Sequence, residues 1–165
     1  MEHTKKYIFL FLIRALIVPE YQIFLISFWT KVNDLSSSKF LISRGVYLDN
    51  GWYLSAAVDG RVYVRINSSG DYYTAISSAG MIQEGQWVYV TVVLKNGSYT
   101  DYYFDGNFNR RDSSSFTYSN SSSEVFNLGS YSIPGYFLEG LLDDVRIYNR
   151  ALSKTEIELL YKSVK

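Results

Sequence analysis

Two adjacent carboxylates, Asp143 and Asp144, stand inside the run Gly140-Leu-Leu-Asp-Asp-Val-Arg-Ile-Tyr148, with apolar residues on either side. A charge carried into an apolar environment needs a partner, because unpaired buried charge is costly. If the run is a strand, neighbouring side chains point to opposite faces, so the two acids serve different tasks. Arg146, Arg44 and Arg150 are candidate salt-bridge partners. Backbone amides at a β-bulge are another. The second group able to do chemistry is aromatic. Sugar rings offer C–H faces that stack on Trp and Tyr, while their hydroxyls seek Asp, Asn, Arg or Gln. Trp52, Tyr72, Tyr73 and Tyr136 lie in or beside predicted loops, as does Tyr131, and the first four are the candidate ligand contacts. Packing in the core or at its rim is the competing role for each of them.

Other chemistries are closed by composition. The chain has no cysteine, so disulfides, thiolate metal sites and thiol nucleophiles are excluded. Its one histidine is His3, which leaves no material for an internal Ser-His-Asp triad or a histidine-rich zinc site. Sixteen basic residues balance 16 acidic ones, which removes the electrostatic reason to expect a nucleic acid partner. At 165 residues the chain makes one domain with a core of its own. Aromatic residues reach 18%, 16 of them Tyr, against 2 Pro. That balance suits an all-β domain with a tyrosine-bearing recognition surface.

The elements that must position these groups are strands. Ile23–Val32 is β-rich and ends in the turn cluster Asn33-Asp34 and Ser36–Ser38. Trp52–Val58 and Arg61–Ile66 flank Asp59-Gly60. Asn96-Gly97 and Asp105-Gly106 give two further hairpin signals. Trp87–Leu94 is the strongest strand, with Val88, Val90, Val92 and Leu94 on one apolar face and a mixed face opposite, which predicts a central position. Residues 112–123 are Ser-rich and predict a surface loop. Ser153-Lys-Thr-Glu156 is a capping box opening a short helix, followed by Ile157, Leu160, Tyr161 and Val164 at helical spacing. Strands at this spacing read as an antiparallel β-sandwich or jelly roll with one C-terminal helix. Residues 1–22 form a divergent N-terminal segment. Lys5-Lys6 before the apolar residues 7–13 resemble the start of a secretion or anchoring signal, and a first strand or helix packed on the core is the alternative.

In their order, these residues resemble the laminin-G-like jelly-roll domain of the concanavalin A-like lectin/glucanase superfamily, over roughly 24–161. The resemblance is carried by Ile26-Ser-Phe-Trp-Thr-Lys31, by Asn50-Gly-Trp-Tyr-Leu54 with Asp59-Gly60-Arg61, and by Glu84-Gly-Gln-Trp-Val-Tyr-Val90. Tyr103-Phe-Asp-Gly106, Phe126-Asn-Leu-Gly129 and the stretch Gly140 to Ser153 complete it. It implies a jelly-roll domain over 23–165 that is extracellular or on a cell surface. It also implies a non-catalytic binding module for a glycan or a surface protein. The alternative is a structural or adhesion domain of a surface or virion protein with no small ligand. A membrane enters only if residues 1–22 are an anchor.

Calcium is also implied, with Asp143 and Asp144 among its ligands and other oxygens filling the shell. The family's opening strand, which helps hold that ion in relatives, is replaced here by residues 7–18 and Pro19-Glu-Tyr-Gln22. Glucanases of the superfamily carry Glu-x-Asp-x-Glu or a close variant on one strand, and retaining glycosidases need two carboxylates about 5 Å apart. No such run occurs: Glu156-Ile-Glu158 falls on the predicted helix, and Glu139 with Asp143 has the wrong spacing and order. The expectation is a domain without catalysis.

Overall fold

The computed structural model describes residues 23–45, 50–68, 71–95, 97–114, 126–131 and 136–165. The segment 1–22, with its signal, anchor or first-strand readings, lies outside them. Ten strands and one helix follow in order: β1 (Ile23–Val32), β2 (Lys39–Gly45), β3 (Asn50–Ala56), β4 (Val62–Ser68), β5 (Asp71–Ile76), β6 (Trp87–Lys95), β7 (Tyr99–Phe104), β8 (Asn107–Asp112), β9 (Phe126–Leu128), β10 (Gly140–Tyr148) and α1 (Lys154–Ser163). They form two five-stranded sheets, β10-β1-β6-β7-β8 and β5-β4-β3-β2-β9, antiparallel at every junction.

Alternation decides which residues fill the space between the sheets. Val88, Val90, Val92 and Leu94 of β6 face Val62, Val64 and Ile66 of β4, with Phe28, Leu54 and Tyr102 completing the layer. Strand β6 is central, as its two-sided pattern requires. Its other face, with Tyr89, Thr91 and Val93, is buried too. There α1 covers the sheet: Ile157 packs with Leu25, Val93 and Tyr103, and the Trp29 indole donates to the Val164 carbonyl at 3.1 Å. The helix starts where the capping box places it. Glu156 N donates to Ser153 Oγ, and Ser153 N donates to Glu156 Oε2 at 2.7 Å.

The hairpins differ in detail from their dipeptide signals. Asp105 and Gly106 both take positive φ (50° and 75°) and link Phe104 directly to Asn107, a two-residue turn. At Asp59-Gly60 the connection is longer. Gly60 N donates to the Ala57 carbonyl, the strands rejoin at Ala56 and Val62, and only Gly60 has positive φ (74°). The extra loop length lets Asp59 keep an ordinary backbone and use its side chain instead, accepting from Arg61 N at 3.2 Å.

Candidate functional site

The acid pair sits where β10 bulges. Arg146 pairs with Ser27 of β1 and Asp143 with Trp29, so Asp144 and Val145 together oppose the single residue Phe28. Asp144 takes φ of 49°, in the left-handed region. Asp143 Oδ1 accepts the Asp144 amide at 2.8 Å, and Asp144 Oδ1 accepts from Arg146 Nε at 2.9 Å. Of the partners weighed from sequence, the guanidinium of Arg146 and a backbone amide at a bulge are therefore the observed ones. Asp144 Oδ2 is buried without a hydrogen-bond partner. Nearby, burial pushes the Tyr89 hydroxyl up to about 12, and the Asp144 charge adds to the rise. Among the described residues, no three His, Cys, Asp or Glu side chains gather into a metal-sized group.

The aromatic candidates separate by strand parity. Trp52 is 4% exposed, inside the sandwich and edge-on to Phe126 with ring centroids 6.0 Å apart. Its position near a predicted loop suggested a ligand contact, but it lies within β3 on the inward register, and a ring enclosed by core offers no face to a sugar. Tyr73 also turns inward. It packs against the main core, its hydroxyl is 3.4 Å from Thr100 Oγ1, and burial raises its pKa. Its neighbour Tyr72 must then point outward, and it is 65% exposed. Tyr136 is 45% exposed and lies edge-on to Phe40 at 5.8 Å. Tyr131, in the same connection, is buried with Phe40 and Tyr53 in a small cluster on the outer side of β2 and β3.

Tyr72 and Tyr136 thus belong to one surface, the outer face of the β5-β4-β3-β2-β9 sheet. Register makes the layout explicit. Tyr63 of β4 pairs with Ser55 of β3 and Ile76 of β5, while Arg65 pairs with Tyr53 and Thr74. A cleft of about 570 Å³ opens on this face, lined by Lys39, Phe40, Tyr53, Tyr63, Arg65 and Tyr136 among others. Sequence reading did not select Tyr53, Tyr63 or Arg65. The signal was present, since Val62-Tyr63-Val64-Arg65-Ile66 alternates strictly, and the residues between the buried valines must face out.

Most charge at the cleft is internally matched. Lys39 is 4% exposed and held by Asp34 at 2.6 Å and Glu139 at 2.9 Å. Those contacts raise the Lys39 pKa, and the Lys39 hydrogen bond draws Asp34 down to about 2. Asp59 Oδ2 lies 3.0 Å from Arg61 Nε, an ion pair lacking hydrogen-bond alignment. Arg65 is different. Its Nε donates to Thr74 Oγ1 at 3.2 Å, and its guanidinium carbon lies 4.9 Å from the Tyr72 ring centre and 5.9 Å from that of Tyr53. No described carboxylate pairs with it.

A jelly-roll sandwich with an aromatic cleft on one sheet agrees with the match to known families. A family model of the laminin G type, described as concanavalin A-like lectin/glucanases superfamily, matches residues 18–158. The chain belongs to this superfamily. No curated protein matches it. Among solved structures, the botulinum neurotoxin serotype G binding domain superposes with a TM-score of 0.71 at 17% identity, covering 88% of this chain and 37% of that one. The receptor binding domain of botulinum neurotoxin D gives 0.66 at 17% identity, with coverage of 87% and 38%. That of the C/D mosaic serotype gives 0.65 at 17%, with coverage of 87% and 36%. At this identity the likeness shows a shared fold, and the chain spans well under half the length of those structures. Among the described residues of this superfamily member, no helix is long and apolar enough to cross a membrane.

Proposed function

We propose that this domain is a non-catalytic binding module that recognises carbohydrate, on a surface protein or lipid, outside the cell. The binding face is the outer surface of the β5-β4-β3-β2-β9 sheet. One observation carries the reading: the cleft sets Tyr63 and Tyr136 beside Arg65, over a floor made by the buried cluster of Phe40 and Tyr53, on the sheet face turned away from the main core. Tyrosine faces suit the C–H faces of sugar rings, and the guanidinium and hydroxyls suit their oxygens. The sheet itself supplies rigidity, so little ordering is required on binding. Two of the similar toxin structures are receptor binding domains, which accords with a recognition role. Asp59 is the one carboxylate among the cleft's described lining residues, and it is turned to Arg61. A glycosidase pair needs two acids flanking one bond, so a cleft lined this way favours binding over hydrolysis.

Calcium remains part of this proposal only at Asp143-Asp144. A shell of about six to eight oxygens there would have to take Asp144 from Arg146, and carbonyls would have to supply the missing donors. These residues fit such an ion poorly, and glycan recognition on the tyrosine face has no need of it. A thermal shift of the domain with added calcium, reversed by chelator and absent in Asp143→Asn, would support the ion.

A glycan array probed with the wild-type domain and with the double variant Tyr63→Ala/Tyr136→Ala tests the main reading. Binding by wild type that the variant loses is the expected result. Silence across the array favours the alternative, a structural or adhesion domain with no small ligand.

A further inference from the structure

The cleft has one cation to spare, and that cation selects a ligand class. We propose, building on the glycan reading above, that the bound glycan is acidic and places a sugar carboxylate on Arg65. Two cations line the cleft, Lys39 and Arg65, and Lys39 is buried and already bridges Asp34 and Glu139. Arg65 spends only its Nε on the protein, on Thr74 Oγ1, so its two terminal nitrogens remain for a ligand. The cation–π contacts with Tyr72 and Tyr53, together with the Thr74 hydrogen bond, hold the guanidinium in place before any ligand arrives. A guanidinium held by its Nε and by a ring, with its terminal nitrogens free, matches the two oxygens of a carboxylate.

The neighbours on the same face complete the match. Tyr63 stands two residues from Arg65 on β4, about 7 Å along the strand. A ring stacked there puts its acidic substituent toward Arg65 while Ser55, paired with Tyr63, faces its hydroxyls. A single cation among tyrosines suits a sugar acid. A polyphosphate or nucleic acid backbone would call for several cations in a row. Acidic peptides share the carboxylate but lack the ring faces that Tyr63 and Tyr136 would cover.

Titration calorimetry of the wild-type domain and of Arg65→Gln, Arg65→Lys and Tyr63→Ala tests this, using 3′-sialyllactose, a glucuronate-terminated disaccharide, neutral lactose and a glutamate-rich peptide. Wild type is expected to prefer at least one acidic sugar over lactose by roughly tenfold or more, the scale of one charge-assisted hydrogen-bonded pair. That preference is expected to shrink as salt is raised. Arg65→Gln removes it, Arg65→Lys restores part of it, and Tyr63→Ala weakens acidic and neutral sugars alike. If lactose binds as well as the acidic sugars while still depending on Tyr63, the acidic preference is overturned and the glycan reading stands. If no sugar binds, both are overturned. If the acidic peptide matches the acidic sugars, the site belongs to a protein partner and the inference fails.

Discussion

The two sheets of this sandwich carry tyrosine-rich outer faces, and they meet different fates. On the β10-β1-β6-β7-β8 sheet, α1 lies over the aromatics. Trp29 is tilted against Tyr89 and Tyr161, with centroids 5.3 and 5.8 Å away, and Ile157 seals the patch. On the β5-β4-β3-β2-β9 sheet, Tyr131 packs on Phe40 and Tyr53 and Tyr136 packs on Phe40, while Tyr63 and Arg65 stay half-exposed and Tyr72 is exposed. The same residue type therefore builds a second core on one side and the proposed recognition surface on the other. Aromatic content alone does not distinguish them; the covering element does.

If this contrast is right, the covered face holds stability and the open face holds binding. Ile157→Ala should cost most, about 2–4 kcal/mol in urea unfolding, because it opens a cavity in the seal over Leu25 and Val93. Glycan binding by the folded fraction should be unchanged. Ser153→Ala should cost about 1 kcal/mol by removing the helix cap.

Acid should loosen both regions. The Arg150 hydrogen bond and the Ser153 amide hold Glu156 down to about 2 from an ordinary 4.5, and Lys39 holds Asp34 down to about 2. A carboxyl depressed by folding stabilises the fold above its unfolded pKa and loses that contribution as pH falls through the folded value. The midpoint of thermal unfolding should therefore fall between about pH 4.5 and 2, and the fall should be shallower in Asp34→Asn/Glu156→Gln. Smallest of all, Arg65→Gln and Tyr72→Ala should move unfolding by no more than about 0.5 kcal/mol, as surface changes do.

The strands and the helix were legible in the sequence because their signals are local. Capping at Ser153 and Glu156, the alternation of Trp87–Leu94 and the paired positive φ values at Asp105-Gly106 each depend on a few neighbours. The site was legible only in part. Proximity to loops drew attention to Trp52 and Tyr73, whereas strand parity, a stricter rule, sends both inward. Applied to Val62–Ile66, that rule exposes Tyr63 and Arg65. What it could not supply is which sheet α1 would cover, because that depends on the path from β10 into the helix. Trp87 shows the same limit. Its strand is central, yet it is the first residue of β6 and stays 38% exposed beside Trp29. Asp143 and Asp144 needed the register against β1 before a bulge became visible.

The central claim is that recognition occurs on the open face. Backbone amide shifts followed by NMR during titration with an array-positive glycan test it most directly. The account expects the largest changes at Tyr53, Tyr63, Arg65 and Tyr72, with α1, Trp29 and Trp87 unmoved. Changes concentrated on α1 and Trp87, with β4 silent, would contradict it.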